Sequence, residues 1–333
     1  MGGFRVQRDS FAAHSDREEG AGWKVKTDSL FVLAWKTVPK LPPRLVDWVS
    51  GGVGRIVAAF NVGSVRQLRQ NFTRLAGREP SRKEISDAVA SYFRMFGQQL
   101  SLPGWSAEYL RNGCTYSGAE QTRTLMEDGP VVLALTHSGN WDLAGAWFCQ
   151  NYGGIVTVAE KLEPPELFEG FVAFRESLGM EILGVGPGES VFGQLVEQVR
   201  GRSLLVPLLA DRDISGSGVR VKLGGAEALV AAGPAALALK LGRPLIAGHI
   251  GYRKRNGRWV IRANFTDPIA VPEPGQGENL VEAYTRAWVQ EIEPIMQAGV
   301  VDWHMMQKLY VDDLDPDRLA RAEERHRQKE AQT

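Results

Sequence analysis

Five histidines, His14, His137, His249, His304 and His326, supply all of the chain's imidazole, and His137 stands in THSGNWD directly after the apolar run VVLALT. Imidazole is the side chain whose ordinary pKa lets it take and return a proton near neutral pH. In an open α/β sheet, groups that face a ligand gather where a strand ends and turns into a helix. Asp142 follows His137 after four intervening residues, in the first turn of a helix expected over 140–150 with Ser138 or Asn140 as its N-cap. From there its carboxylate can turn back to the imidazole Nδ1–H, fix the tautomer that leaves Nε2 as acceptor, and stabilise the imidazolium. The pair reads as a general base for a hydroxyl. The competing reading is a capping Asp beside a loop histidine, because H-x-x-x-x-D is short enough to recur by chance. No G-x-S-x-G elbow occurs, neither Cys114 nor Cys149 lies in a local nucleophile motif, and Ser138 is a neighbour of His137 in sequence only. Direct attack by a substrate hydroxyl is therefore expected rather than an acyl-enzyme route.

Positioning such a base calls for a sheet, and the chain supplies one. Strand-like runs recur at 131–136, 155–160, 180–185, 203–210, 244–252 and 259–265, separated in several places by helical segments at 140–150, 165–178, 189–200 and 234–241. Apolar runs with little polar alternation belong to strands covered on both faces, as in a mainly parallel sheet. The expected fold is α/β: a three-layer αβα sandwich with a mixed, mainly parallel central sheet and N-terminal interfacial helices. GVRVKLGG (218–225) and the pair 244–252 with 259–265 leave room for antiparallel or edge strands. Ser81 followed by Glu84 forms a capping box for a helix over 81–100, and 120–128 and 278–297 read as further helices. His249 falls inside a strand and reads as a core histidine, His304 as structural, and His326 as part of a charged C-terminal helix or tail over 316–333.

With 39 Lys+Arg against 39 Asp+Glu in 333 residues, the chain is neither a uniformly basic nucleic-acid binder nor an acidic tail protein. Two cysteines exclude a disulfide framework and fit a reducing compartment. The neutrality is unevenly built, since residues 24–83 hold twelve Lys/Arg and only three Asp/Glu. Within 29–63, bursts such as FVLAW and IVAAF are interrupted by Lys36, Lys40, Pro42, Pro43 and Arg44, well short of the ~20 apolar residues that a spanning helix requires. Trp and Phe beside Lys and Arg suit helices lying in a membrane interface against anionic lipid; the alternative is that they pack on the protein's own core. Residues 1–28, including His14, read as a disordered extension without a secretory signal, which leaves 29–315 as a single domain.

HSGNWDLAGAW resembles the H-x4-D block of the glycerolipid and lipid A type acyltransferases. With VAEKL (158–162), FVAFRESLGME (171–181), LLADRD (208–213), AGPAALALKLGRPL (232–245) and DWHMMQKLYVDDLDPD (302–317), the chain is similar to the bacterial phosphatidylinositol mannoside acyltransferases over roughly 30–317. The resemblance implies His137 as base with Asp142 as acidic partner, and Asp211 as a second acid that acts on His137 directly or through Arg212. It implies Glu160 and Arg175 around a sugar-phosphate head group, where a carboxylate accepts hydroxyls and a guanidinium pairs with phosphate. Asn140 and Arg212 join these as substrate-binding candidates. The implied donor is acyl-CoA, the acceptor a mannose hydroxyl of mannosylated phosphatidylinositol, and the location the cytoplasmic face of the plasma membrane, on an anionic surface, with no metal, redox cofactor or nucleic acid. Lipid A or another phospholipid as acceptor, with acyl carrier protein or acyl-CoA as donor, stays open, as does a non-catalytic lipid-binding protein of the same fold. Lys222 and Leu223 depart from the apolar stretch expected at that point.

Overall fold

The computed structural model describes residues 33–161, 165–186, 191–213 and 218–316. The whole 1–28 extension, with His14, and residues 317–333 of the tail, with His326, lie outside these residues. In chain order the helices are α1 (Pro43–Ala59), α2 (Gly63–Ala76), α3 (Arg82–Ser101), α4 (Ala107–Arg111), α5 (Ala119–Glu127), α6 (Trp141–Asn151), α7 (Pro165–Ser177), α8 (Phe192–Val199), α9 (Gly233–Leu241) and α10 (Leu280–Ala298). The strands are β1 (Cys114–Ser117), β2 (Val131–Leu135), β3 (Gly154–Glu160), β4 (Met180–Val185), β5 (Leu204–Leu209), β6 (Val219–Leu223), β7 (Ala226–Val230), β8 (Leu245–Arg255) and β9 (Arg258–Phe265).

Seven strands form one sheet in the order β1-β9-β8-β2-β5-β3-β4, parallel throughout except for the antiparallel β8–β9 hairpin. The mixed, mainly parallel α/β architecture expected from the unalternated apolar runs is the one observed. β2 shows why those runs do not alternate: Val132 and Ala134 join a core with α2, α9 and α10, while Val131, Leu133 and Leu135 join one with α6 and the β4 side. Successive side chains of a strand point to opposite faces, so burial on both faces means helices on both. GVRVKLGG does not edge the main sheet; it pairs as β6 with β7 in a separate two-stranded ribbon. Leu223 is buried there and Lys222 exposed.

The capping box at α3 is present, with the Ser81 hydroxyl accepting from the Glu84 N–H at 3.2 Å and the Ser81 N–H donating to the Glu84 carboxylate at 2.8 Å. α3 carries α1 on its surface in an inverted arrangement. The inward stripe of α1 is Val46, Asp47, Gly51 and Gly54, and a Cβ at Gly54 would lie 2.7 Å from the Ala90 Cα. The outward stripe is Leu45, Trp48, Val49, Val53, Ile56 and Phe60, with Trp48 75% and Phe60 73% exposed. Small residues admit the backbone of α3, and the large apolar side chains face away from the protein. The core-packing alternative holds for Val46, Val57 and Ala58, and not for the large apolar side chains of the outward stripe. No helix among the described residues is long and apolar enough to cross a membrane.

Candidate active site

β2 delivers its backbone to Thr136 and ends at the sheet centre, and the next three residues turn into α6. Gly139 makes this turn possible: its φ is +55°, and a Cβ there would sit 2.6 Å from both the side chain and the carbonyl oxygen of Ile250. Asn140, not Ser138, is the N-cap, its Oδ1 accepting the Leu143 N–H at 3.0 Å. Ser138 points inward and is fully buried, accepting the Ile250 N–H at 2.9 Å and lying 2.7 Å from the Thr136 hydroxyl. Its hydroxyl has no hydrogen bond to His137, in keeping with a route that uses no serine nucleophile.

The partner of His137 is Asp211 rather than Asp142. Asp211 Oδ1 lies 2.5 Å from His137 Nδ1, and Oδ2 accepts the His137 backbone N–H at 3.0 Å and the Trp303 indole N–H at 2.7 Å. The Asp211 carboxylate follows β5, the strand hydrogen-bonded to β2, so neighbouring strand ends bring imidazole and carboxylate together. Its direct contact with His137 settles the alternative of an indirect link through Arg212. Asp211 is 1% exposed. Burial alone would raise its pKa, but the His137 ring and the three hydrogen bonds outweigh that and hold it below the ordinary carboxylate value. The His137 side chain keeps 25% of its surface exposed. With Nδ1–H donated to a carboxylate, Nε2 is left as the proton acceptor.

Asp142 faces away from the imidazole. It is 1% exposed, accepts the Gln99 amide at 2.6 Å, and pairs with Arg175 through Nε at 2.7 Å and Nη2 at 3.3 Å. A residue in the first helical turn projects according to the helix phase, and here that phase sends position 142 toward α3 and α7 rather than back over the loop. Arg175, expected at a head group, is committed to this buried pair. Glu160 is the last residue of β3 and Arg212 follows Asp211, so both sit along the same C-terminal edge of the parallel strands as His137.

The other described histidines are poor bases. Burial pushes His249 down to about 4 and His304 to about 3. His249 lies 3.0 Å from the Thr136 hydroxyl and 3.2 Å from the Gly299 carbonyl, and His304 3.0 Å from the Ser91 hydroxyl. Burial also raises the thiols, Cys114 to about 12 and Cys149 to about 11, which removes thiolate chemistry near neutral pH. No group of three His, Cys, Asp or Glu among the described residues is placed to hold a metal ion.

Three supporting residues, Gln98, Gln99 and Trp303, were not singled out in the sequence. Gln98 accepts from Asn140 at 3.1 Å and from the Tyr252 hydroxyl at 2.9 Å, and donates to Asp47 of α1 at 2.8 Å. Gln99 holds Asp142. Trp303 sits in a strap, residues 302–304, that runs antiparallel to the His137 loop: the Gly139 N–H donates to the Asp302 carbonyl at 2.9 Å and the His304 N–H to the His137 carbonyl at 2.7 Å. Attention to the DWHM segment falls on its histidine, whereas the indole beside it makes the contact. Trp303→Phe keeps an aromatic ring in a smaller volume and deletes one donor to a charged acceptor, a bond worth ~1.5–3 kcal/mol. Steady-state kinetics should show kcat lowered about 10-fold or more with KM little changed.

A family model of bacterial lipid A biosynthesis acyltransferases matches residues 23–311 of this sequence. The chain belongs to that family of acyltransferases. Among curated relatives, the phosphatidylinositol mannoside acyltransferase of Mycolicibacterium smegmatis is 33% identical over 301 residues, covering 89% of this chain and 95% of the relative. Proteins of the same name from two strains of Mycobacterium tuberculosis are 31% identical over 309 residues, covering 91% of this chain and 94% of each. The likeness of the H-x4-D block to this acyltransferase family thus holds across nearly the whole chain.

Proposed function

We propose that this acyltransferase moves a long acyl chain from acyl-CoA to a mannose hydroxyl of mannosylated phosphatidylinositol, working from the cytoplasmic face of a membrane. The observation that carries the chemistry is the His137–Asp211 pair at the end of β2, with a buried carboxylate on Nδ1 and a quarter of the His137 side chain exposed. The choice of acceptor rests on the names and end-to-end similarity of the relatives.

In the proposed step, Nε2 takes the proton of the acceptor hydroxyl as its oxygen attacks the thioester carbonyl. Asp211 stabilises the imidazolium so formed. Asn140 occupies the Leu143 N–H, which leaves other first-turn N–H groups of α6 for the carbonyl oxygen as it becomes an oxyanion. Collapse of the tetrahedral species breaks the C–S bond, and the departing CoA thiolate takes the proton back from His137. The reaction draws on no metal or redox cofactor. Glu160 and Arg212 are the proposed contacts to sugar hydroxyls and phosphate, while Asp142 and Arg175 act by locking α6 to α7.

The outward apolar stripe of α1 supports membrane association. Such a stripe, flanked by cations, gains both from apolar burial and from anionic lipid. Charge reversal of Lys36, Lys40, Arg44 and Arg55 should weaken sedimentation with anionic vesicles on the order of 10²–10³-fold, at about 1 kcal/mol per cation. Unchanged sedimentation would remove the electrostatic part of this reading. For the acceptor, purified protein is offered palmitoyl-CoA with mannosylated phosphatidylinositol and lipid A precursor in competition. Mass spectrometry should find the acyl chain on the mannolipid; its appearance only on lipid A would replace the proposed acceptor.

A further inference from the structure

A second basic element lies far from the basic N-terminal segment in sequence. Between Gly251 and Asn264 the chain holds five Lys/Arg and no Asp/Glu, although the whole sequence balances at zero. This stretch is the outer half of the β8–β9 hairpin. β8 pairs with β2 only over Leu245–Gly248, and β9 with β1 only over Ile261–Asn264, so beyond those residues the two strands pair only with each other, as a ribbon projecting past the sheet. Asn256 and Gly257, at φ +51° and +71°, close it in the tight turn that such a ribbon needs.

Arg253, Lys254 and Arg255 are exposed where β8 enters the turn, Arg253 and Arg255 on one face of the ribbon and Lys254 on the other, while Arg258 is buried against the Tyr109 ring. The inner part of the ribbon is fixed: Tyr252 bonds Gln98, and Arg94 and Lys254 both lie over the Trp259 ring at 3.7 and 5.1 Å. The tip is tied to α1, where Arg44 donates to the Asn256 carbonyl at 3.4 Å. Arg44 and Trp48 are one helical turn apart on the outward side of α1, so the ribbon tip meets the end of the exposed apolar stripe. Charges that only guard a free ribbon from edge pairing can be of either sign; here the sign is uniform and matches an anionic partner.

We infer that Arg253, Lys254 and Arg255 form a basic arm that binds anionic lipid head groups beside the inserted face of α1. The inference rests on the membrane reading above and names a contact that the N-terminal segment does not supply. It is tested on the full chain with Arg253, Lys254 and Arg255 all changed to Gln, which removes attraction without adding repulsion, alongside a control with Trp48, Ile56 and Phe60 changed to Ser. Sedimentation is measured with vesicles of phosphatidylcholine alone and of phosphatidylcholine mixed with phosphatidylglycerol. The Gln variant should bind the anionic vesicles about 100-fold less tightly than wild type and the neutral ones equally well. The difference from wild type should vanish at 1 M salt, where charges are screened within about 3 Å. If the Gln variant matches wild type on anionic vesicles while the Ser control loses binding, the arm is refuted and the membrane reading stands. If both variants bind as wild type does, or wild type binds neither vesicle, both fall.

Discussion

His137→Ala should lower kcat for acyl transfer by about 10²–10⁴-fold, the range that a positioned general base contributes. The loss falls on kcat because the imidazole acts on a proton that moves only in the transition state. Asp211 keeps two of its donors in this variant, the backbone N–H of residue 137 and the Trp303 indole, so its carboxylate is not left unsolvated in the interior. Steady-state release of CoA from acyl-CoA with a saturating acceptor measures the effect. None of the other described imidazoles can substitute, since His249 and His304 are buried away from a substrate and burial makes them weak bases. Retention of near-wild-type turnover would mean that the acceptor is deprotonated elsewhere.

Asp142→Ala acts through stability instead. It leaves the Arg175 guanidinium and the Gln99 amide facing an emptied buried site, and removing one member of a buried ion pair costs about 3–5 kcal/mol. That is a large part of the 5–15 kcal/mol by which a typical protein is stable. Chemical denaturation should show the midpoint shifted down. Replacing both partners with apolar residues, Asp142→Leu with Arg175→Met, should recover much of the loss, because no uncompensated charge remains. A single variant as stable as wild type would contradict the structural role and return Asp142 to consideration as the imidazole's partner.

The contrast between these two aspartates marks where sequence reading stops. An apolar run ending at His137 announces a buried strand and a residue at its tip, so β2 and the placement of His137 were legible from local pattern alone. Which carboxylate reaches Nδ1 depends on the phase of α6 and on β5 lying beside β2; Asp211 is 74 residues away and entered only through the family resemblance. Trp303, 92 residues from Asp211, lies in a stretch that entered only through the same resemblance, with no sign of its role. β1 was missed because four residues on the sheet edge, CTYS, are too short and too polar to form an apolar run. α1 was legible as amphipathic, but the direction of its apolar face was not. The small inward residues Gly51 and Gly54 are the feature from which it could have been read, since a helix that offers glycines to its neighbour has its bulky side chains elsewhere.

The most direct test of the dyad is the turnover number of Asp211→Asn with palmitoyl-CoA and mannosylated phosphatidylinositol, taken on protein whose melting curve overlays that of wild type. Asn keeps the shape and one acceptor oxygen but cannot offset the imidazolium charge. A fall of about 10²-fold or more with KM little changed is the predicted result. Turnover equal to wild type would contradict a base that depends on Asp211.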